Sequence, residues 1–276
     1  MSKNESAPGS QPANPPADPY ETRVVAVIDI LGFSELVKRA DKEPGLRATI
    51  RGALDQARDI NLGTQYGGVR VQNVSDTVII SAPDTQLGFW TIILSVDALA
   101  FNLLNAGILL RGGITVDGIS HEDHAVFGVA VVEAHRLESA VAEHPRVILG
   151  RKAVDRFSEY RDSALNGSGL NVEFIPEALD TISRDSDGGV WFVDYLKRYG
   201  EENFSPSPDL LLVEQGRAVR GIMQQKLDET VDNPQVFHKL SWFARYWNRT
   251  VISGYALPEL AAKLAPIGLI ELPGES

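Results

Sequence analysis

The pattern of hydrophobic and polar positions changes abruptly near residue 20. Residues 1–20 contain five prolines and show no apolar periodicity, which predicts a disordered leader. From residue 23 the chain becomes strongly apolar, and the run over 24–28 ahead of Asp29 predicts a strand that is buried on both faces. The folded part of the protein is therefore expected to begin at residue 21.

Helical and strand-like patterns then follow one another along the chain. Helical periodicity is found over 34–60, 86–107, 126–143, 151–160 and 206–253. Strand-like patterns are found over 23–28, 67–83 with a turn near 73–76, 108–120 as a strand pair, 146–150 and 186–196. This order predicts an α+β fold, in which helices pack on a mainly antiparallel central sheet. It also suggests a domain at 21–200 with a helical extension at 201–276 packed on it.

Composition and charge exclude several classes of function. The 276 residues include no cysteine, which excludes disulfides, thiolate metal sites and cysteine nucleophiles. The net charge of −11 argues against nucleic acid and anionic membranes as partners. Neither a signal peptide nor a membrane span is expected, so the protein is interpreted as cytoplasmic. An anionic small ligand stays compatible with this charge if a metal ion and an arginine hold it locally.

Two carboxylates are candidates for metal binding. Asp29 ends the first strand just before Gly32, and Asp76 lies at the tip of the predicted hairpin. If these elements are neighbours, their hard oxygen ligands could hold Mg²⁺ or Mn²⁺ over a polyphosphate. Each residue also has a structural alternative. Asp29 could cap the helix that begins near Ser34, and Asp76 could form an Asx turn.

Four segments together resemble the class III nucleotidyl cyclase catalytic domain. DILGFSEL resembles the first metal motif of that family, and QNVSDTVIIS resembles the second, with its aspartate at a hairpin turn. LRGGITVDG is similar to the Arg-x-Gly-Ile strand of the family. FGVAVVEAHRLES is similar to its Gly-x-x-Val-Asn-x-Ala-x-Arg-Leu-Glu helix. The four segments follow the family order across residues 23–150.

The resemblance implies a role for individual residues. Asp29, Asp76 and the main-chain carbonyl of Ile30 would bind two divalent cations, Mn²⁺ or Mg²⁺. These cations would activate the ribose 3′-hydroxyl and hold the β- and γ-phosphates. Arg136 would stabilise the charge that develops in the transition state. In this family the arginine comes from the partner subunit, so the resemblance implies a homodimer with sites shared across its interface.

Departures from the family pattern affect the substrate-binding positions, which also include Phe33 of the first motif. Val132 stands where the family has an asparagine that orients the ribose. Gln72 replaces the lysine that reads adenine, and Ala125 replaces an aspartate. A glutamine can both donate and accept hydrogen bonds, unlike lysine. These changes favour a smaller base, and therefore a pyrimidine nucleoside triphosphate as substrate.

Two flanking segments narrow the resemblance. DSDGGVWFVDYL and HKLSWFARYWN resemble segments of the bacterial pyrimidine cyclases of Pycsar antiphage defence. In those systems a separate effector responds to the cyclic nucleotide. The resemblance implies conversion of UTP to cyclic UMP. The alternatives are conversion of CTP to cyclic CMP, then adenylate or guanylate cyclase activity, then a degenerate nucleotide-sensing module.

Two further clusters are better explained by structure than by chemistry. The aromatic residues of the extension are expected in core packing or a dimer contact: Trp242, Phe243, Tyr246 and Trp247. The loop over 121–124 contains two histidines and two carboxylates, but adjacent ligands are poorly spaced for a zinc site. A solvated loop is the favoured interpretation there.

Overall fold

The computed structural model of the protein describes residues 20–59, 68–166, 179–185, 189–204, 207, 209–252 and 266–273. The predicted leader lies outside this part of the chain except for Tyr20. The strands are β1 (Glu21–Ile30), β2 (Arg70–Val74), β3 (Thr77–Pro83), β4 (Leu110–Glu122), β5 (Ala125–Phe127), β6 (Val147–Leu149), β7 (Ile182–Arg184) and β8 (Trp191–Val193). The helices are α1 (Phe33–Lys42), α2 (Pro44–Asp59), α3 (Gln86–Leu104), α4 (Val129–Arg136), α5 (Arg151–Leu165), α6 (Lys197–Phe204), α7 (Leu210–Glu229) and α8 (Pro234–Ile252).

The described strands form one sheet in the order β2-β3-β1-β4-β6-β8-β7, with β5 paired to β4. The pairs are antiparallel apart from β4 and β6, which run parallel. This arrangement confirms the predicted α+β class with a mainly antiparallel central sheet. Strand β1 lies between β3 and β4, and residues 24–28 are all buried, as the apolar run predicts.

Helices cover both faces of the sheet. Most buried residues belong to one large cluster in which α3 packs against the sheet and α2. Helix α3 is long and apolar enough to cross a membrane, but 83% of its apolar window is buried inside the protein. Helix α4 covers the opposite face through a smaller cluster: Val25, Val27, Ile79, Ile119, Ala130 and Ala134. This second face carries the residues singled out for chemistry.

Two predicted elements differ from the observed ones. The helix predicted over 34–60 is broken at Pro44, because proline has no amide proton to donate and is suited to the first turn of a new helix. The strand pair predicted over 108–120 is wrong. This segment lies in one 13-residue strand, β4, and its two central glycines are not a turn. A Cβ on Gly112 would lie 2.7 Å from the carbonyl oxygen of Val27, so glycine is needed there for close strand packing.

The carboxyl-terminal helices pack on the same large cluster. Within the segment predicted as helical over 206–253, the described residues form α7 and α8, and Pro234 begins the second helix. Strand β7 and helix α6 were not predicted. Helix α5 extends to Leu165, beyond the predicted end at residue 160. The aromatic stripe is buried, which confirms the prediction of core packing: Trp242, Phe243, Tyr246 and Trp247.

Candidate active site

The two candidate metal ligands lie side by side at one end of the sheet. Asp29 pairs with Thr77 of β3, and the amide of Ile30 donates a hydrogen bond to the Asp76 carbonyl at 2.9 Å. Asp76 follows Ser75, which has a positive φ of 58°. Such backbone strain in a non-glycine residue is tolerated mainly where the surroundings fix it, and it often occurs at functional sites. The strands therefore bring Asp29, Ile30 and Asp76 together, as the motifs predict.

The structural alternatives for these two residues do not fit. The cap of α1 is Gly32, with a φ of 73° and no side chain, so Asp29 does not cap that helix. Among the described residues, no group donates a hydrogen bond to the Asp76 carboxylate, which argues against an Asx turn. Both carboxylates are thus left for a ligand or for the arginine described next.

Arg111 and Glu138 complete this end of the sheet. Arg111 is the Cα partner of Asp29 across β1 and β4, and its Nε donates to Asp29 Oδ2 at 3.2 Å. Glu138 Oε1 lies 2.7 Å from the same nitrogen. Because Nε carries one hydrogen and it points to Asp29, Glu138 Oε1 is a buried oxygen without a hydrogen bond among the described residues. The site therefore holds a buried carboxylate oxygen that forms an ion pair with Arg111 but accepts no hydrogen bond among the described residues.

The charges at this end of the sheet are mutually coupled. Burial raises the pKa of Glu138, and the nearby carboxylates of Asp29 and Asp76 raise it further, whereas Arg111 opposes the shift. Asp29 and Glu138 therefore share one arginine, and Asp76 adds a third negative charge nearby. A site with this excess of negative charge attracts a cation.

These residues fit divalent cations that are only partly ligated by protein. Among the described residues, no three acidic or imidazole side chains lie close enough to hold a metal by themselves. Mg²⁺ is commonly held by one or two carboxylates, with waters and substrate phosphates completing its shell. Asp29, Asp76 and the Ile30 carbonyl supply oxygen ligands of that kind. The amino-terminal amides of α1 begin just beyond, behind the side-chain-free cap Gly32.

Sequence reasoning missed Arg111 and Glu138, although both lie in the quoted motifs. The signal for Arg111 is the period-two pattern, because direct partners on paired strands point to the same face of a sheet. The position of Glu138 depends on a structural feature that has no signal in the sequence. Helix α4 continues into a π-helical turn, Leu137–Val141, whose first two residues are both buried. Such turns are rare and are often found at functional sites.

Gly113 allows α4 to approach the sheet this closely. A Cβ at Gly113 would lie 2.4 Å from the Cβ of Leu137 and 2.7 Å from the carbonyl oxygen of Ala134. Both distances are far below van der Waals contact, so any other residue would push the helix away. This glycine therefore sets the position of Glu138 above Arg111.

Arg136 and Val132 lie on the exposed side of α4. Val132 is 71% exposed, and the Arg136 side chain is 55% exposed and donates two hydrogen bonds to Glu133, both at 2.8 Å. Residues two apart on a helix lie about 200° apart around its axis. Arg136 therefore points away from Glu138 and from the paired aspartates. Within one chain, the structure does not bring Arg136 to the candidate metal ligands.

The other predicted substrate-binding residues are also separated from the aspartates. Gln72 of β2 pairs with Ile79, two residues along β3 from the partner of Asp29, so both side chains share a sheet face. Gln72 is offset from Asp29 by two strand spacings across the sheet and by two residues along the strand, which places the two residues roughly 12 Å apart. Ala125 pairs with Glu122 at the far end of β4. One chain therefore does not assemble all the predicted residues into one pocket.

Phe33 is the first residue of α1, three residues after Ile30. It is half-buried and lines a cleft of about 450 Å³ between α1 and α2, which also includes Val37, Ile50, Leu54 and Asn73. Gln72 has a buried Oε1 without a hydrogen-bond partner among the described residues. The side chain of Phe33 in the cleft and the Oε1 atom of Gln72 could therefore contact a ligand.

The interpretation of the loop over 121–124 as solvated is wrong for one of its two histidines. His121 is buried in β4 rather than solvated, and its Nδ1 is 2.8 Å from Ser81 Oγ. Arg23 Nε donates to the same hydroxyl at 2.9 Å, so the serine proton is left to point at the histidine. His124, in contrast, is exposed. The two histidines therefore lie in different environments, one buried and the other exposed to solvent.

Burial, together with the nearby charges of Arg23 and Arg70, lowers the pKa of His121 to about 4. Unfolded histidine takes up a proton near pH 6.5, whereas the folded protein resists it down to about pH 4. We expect folding stability to fall as pH drops through this window, and thermal unfolding at several pH values measures it. His121→Gln keeps an acceptor for Ser81 and should flatten the pH dependence. Exposed His124→Gln should leave it unchanged, and equal slopes in both variants would contradict the assignment.

In sequence comparisons, no family model and no curated protein matches the chain. Several solved structures are similar to part of the chain. The adenylyl cyclase CyaB from P. aeruginosa is 19% identical, with 63% of this chain and 94% of that chain covered and a TM-score of 0.42. An adenylate/guanylate cyclase/hydrolase from Silicibacter pomeroyi is 18% identical, with coverages of 63% and 95% and a TM-score of 0.34. A class III adenylyl cyclase-like ATP-binding protein from Pseudomonas aeruginosa is 16% identical, with coverages of 50% and 35% and a TM-score of 0.36.

Proposed function

We propose that the protein is a homodimeric nucleotidyl cyclase that converts UTP to 3′,5′-cyclic UMP and pyrophosphate. The observation that carries the proposal is the placement of Asp29 and Asp76 at neighbouring strand ends, next to the Ile30 carbonyl and Arg111. This arrangement suits a triphosphate that binds together with divalent cations. It also explains how an acidic protein can hold an anionic substrate.

Each residue has a distinct part in the proposed reaction. Divalent cations bound by Asp29, Asp76 and the Ile30 carbonyl would neutralise the triphosphate and activate the ribose 3′-hydroxyl. The 3′-hydroxyl gives up its proton to solvent and its oxygen forms a bond to the α-phosphorus. The bond from the α-phosphorus to the oxygen that bridges to the β-phosphorus breaks, and pyrophosphate leaves. Arg136 donates hydrogen bonds to the phosphoryl oxygens as their charge rises. Arg111 holds Asp29 in place beside the reacting group.

A second copy of the chain is needed to supply Arg136. The exposed side of α4 carries this arginine together with Val129 and Val132, two apolar side chains that water contacts in the single chain. A cluster of exposed apolar residues around a functional side chain is typical of an interface. In a twofold dimer, the same surface of each copy would complete the site of the other.

Mixing two inactive variants tests the shared site. Asp76→Asn and Arg136→Ala chains should each be inactive alone. A refolded equimolar mixture should regain about a quarter of the wild-type activity, because half of the dimers then contain one intact site. Arg136→Ala should lower kcat about 10²- to 10³-fold and change KM little. A mixture that stays inactive although the chains associate would contradict site sharing.

The choice of base is supported by Gln72 and by the resemblance to pyrimidine cyclases. The buried, unpartnered Oε1 of Gln72 can accept the N3–H of uracil, and its amide nitrogen can donate to O4. A flipped amide would suit cytosine, so CTP is the second candidate substrate. The test is incubation with all four nucleoside triphosphates and Mn²⁺, followed by mass spectrometry of the products. We expect cyclic UMP, and cyclic AMP as the main product would contradict a pyrimidine cyclase.

A nucleotide-sensing module is the alternative of a different class. It is motivated by Val132, which cannot form the hydrogen bond of the family asparagine. A sensor would bind the triphosphate and release it unchanged in the same assay. The proposed biological role follows from the Pycsar resemblance: a cytoplasmic protein that signals phage infection to a separate cyclic-nucleotide-activated effector. Loss of phage protection in cells carrying Asp76→Asn, at equal protein level, is the expected result.

A further inference from the structure

Residues 266–273 lie in a groove between α7 and α8. Ile267 and Ile270 of this segment are buried, whereas Leu269 between them is exposed. Ile267 fills the space above Gly216 of α7, where a Cβ would lie 2.9 Å from Ile267 Cδ1. The groove thus has two apolar positions that take side chains three residues apart.

Helix α8 holds the segment by its main chain. Asn248 donates from Nδ2 to the carbonyl of Ile270 at 2.8 Å, and its Oδ1 accepts from the Ile270 amide at 2.8 Å. Trp247 donates from Nε1 to the carbonyl of Gly268 at 3.0 Å. Asn248 therefore satisfies both polar groups of one peptide residue, as a neighbouring strand would.

Helix α7 makes the matching contacts from the other side. Gln224 donates to the carbonyl of Glu271 at 3.0 Å and accepts from its amide at 2.7 Å. Two arginines one turn apart donate to further carbonyls, Arg220 to Leu269 at 2.7 Å and Arg217 to Pro266. In total, seven hydrogen bonds from five side chains reach only the backbone of the segment. Backbone capture with pockets for spaced side chains is how peptide-binding domains recognise extended peptides.

The sequence requirements of the groove can be read from the bound segment. Gly268 has a φ of 89°, which favours glycine between the two isoleucines. Leu269 faces solvent and should be replaceable. The groove therefore fits an extended segment with the pattern Ile-Gly-x-Ile and places few demands on the residues around it.

Helix α7 also contacts the loop before β4, which lies next to the candidate active site. Lys226 of α7 donates from Nζ to the carbonyl of Gly107 at 2.8 Å, and Ile222 packs against that glycine. Two residues later, the Leu109 carbonyl accepts from the amide of Leu31, next to Ile30. One helix and one short loop therefore connect the groove to Ile30 and Leu31 through direct contacts.

From these contacts we propose that the groove between α7 and α8 is a peptide-recognition site. It is filled by residues 266–273 of the same chain until an extended Ile-Gly-x-Ile segment of a partner protein replaces them. This inference goes beyond the proposed cyclase activity and does not depend on it. A tethered segment competes at an effective concentration on the order of 1 mM, so a partner peptide must outcompete it or bind when it is released.

The test uses the full-length chain and a fluorescent peptide with the sequence PIGLIELP. Ile270→Asp in the chain weakens the resident segment and leaves every groove side chain intact. We expect this variant to bind the peptide at least about 10-fold more tightly than the wild-type chain, by fluorescence anisotropy. The matched control peptide, with both isoleucines changed to aspartate, should not bind. Equal binding of the two peptides, or binding of neither, overturns the proposal.

Two additions keep the test decisive if Ile270→Asp fails to fold, which circular dichroism would show. The milder Ile270→Ala takes its place. In the wild-type chain, hydrogen exchange of the Ile270 and Glu271 amides should speed up when excess peptide displaces the resident segment, because those amides are bound to Asn248 and Gln224. Unchanged exchange at a saturating peptide concentration counts against the proposal. Cyclase activity is measured separately, so failure of either proposal is distinguishable.

Discussion

Replacing Asp76 by asparagine should lower cyclic-nucleotide formation at least about 10³-fold, because the reaction loses a charged metal ligand. Folding stability should change little. The Asp76 carboxylate is half-buried and has no hydrogen bond to lose among the described residues, and the main-chain bond to the Ile30 amide is retained. Product formation is measured by mass spectrometry at saturating Mn²⁺.

Metal binding gives a second measurement of the same change. Electron paramagnetic resonance of free Mn²⁺ should show weaker binding to Asp76→Asn than to the wild-type chain in the presence of nucleotide. Asp123→Asn, on the exposed turn between β4 and β5, removes an equal charge and serves as the matched control. Full activity in Asp76→Asn, or an equal loss in Asp123→Asn, would show that net charge or another group explains the chemistry.

Replacing Gly113 by alanine should destabilise the protein by about 3 kcal/mol and remove most of its activity. The new methyl group would lie 2.4 Å from the Cβ of Leu137 and 2.7 Å from a main-chain oxygen of α4, neither of which is a flexible side-chain end. The helix would have to lift from the sheet, and Glu138 would move away from Arg111. Denaturant unfolding and turnover measure the two effects.

Gly221 of α7 is the control for this substitution. A Cβ there meets no atom within 4 Å, and alanine is the better helix former. Gly221→Ala should therefore raise the free energy of unfolding by about 0.5 to 1 kcal/mol and leave activity unchanged. If Gly113→Ala behaves like Gly221→Ala, close packing of α4 on the sheet is not what positions the site.

Local patterns were sufficient to predict the parts of the fold that depend on neighbours in sequence. Alternation and apolar runs predicted β1 and the hairpin of β2 and β3. The hairpin turn and the strand end are local features, so the positions of Asp76 and Asp29 within their own elements could be predicted. Their proximity depends on the pairing of β1 with β3, which the sequence offered only as a condition and through the family resemblance. The aromatic stripe of α8 was likewise predicted to be buried from its helical spacing.

Features that depend on distant contacts could not be predicted in this way. A pair of glycines can occur in a turn or in a crowded strand, and the sequence does not distinguish the two. For Gly112 and Gly113, only the neighbouring atoms of β1 and α4 make the difference. Glu138 is turned inward by a π-helical turn, which has no periodic signal of its own. The segment over 266–273 has no periodicity either, because side chains of two helices hold its backbone.

Helix α3 has a consequence for the synthesis of the protein. Its aromatic contacts include Trp90 with Phe157, Phe89 with Tyr160, and Phe101 with Tyr199. These partners are translated roughly 50 to 100 residues after the helix, which takes several seconds at ribosomal speeds. During that time the nascent chain exposes a segment as apolar as a membrane span. Recombinant yield should therefore depend on chaperone capacity and on translation rate more than on the stability of the finished fold.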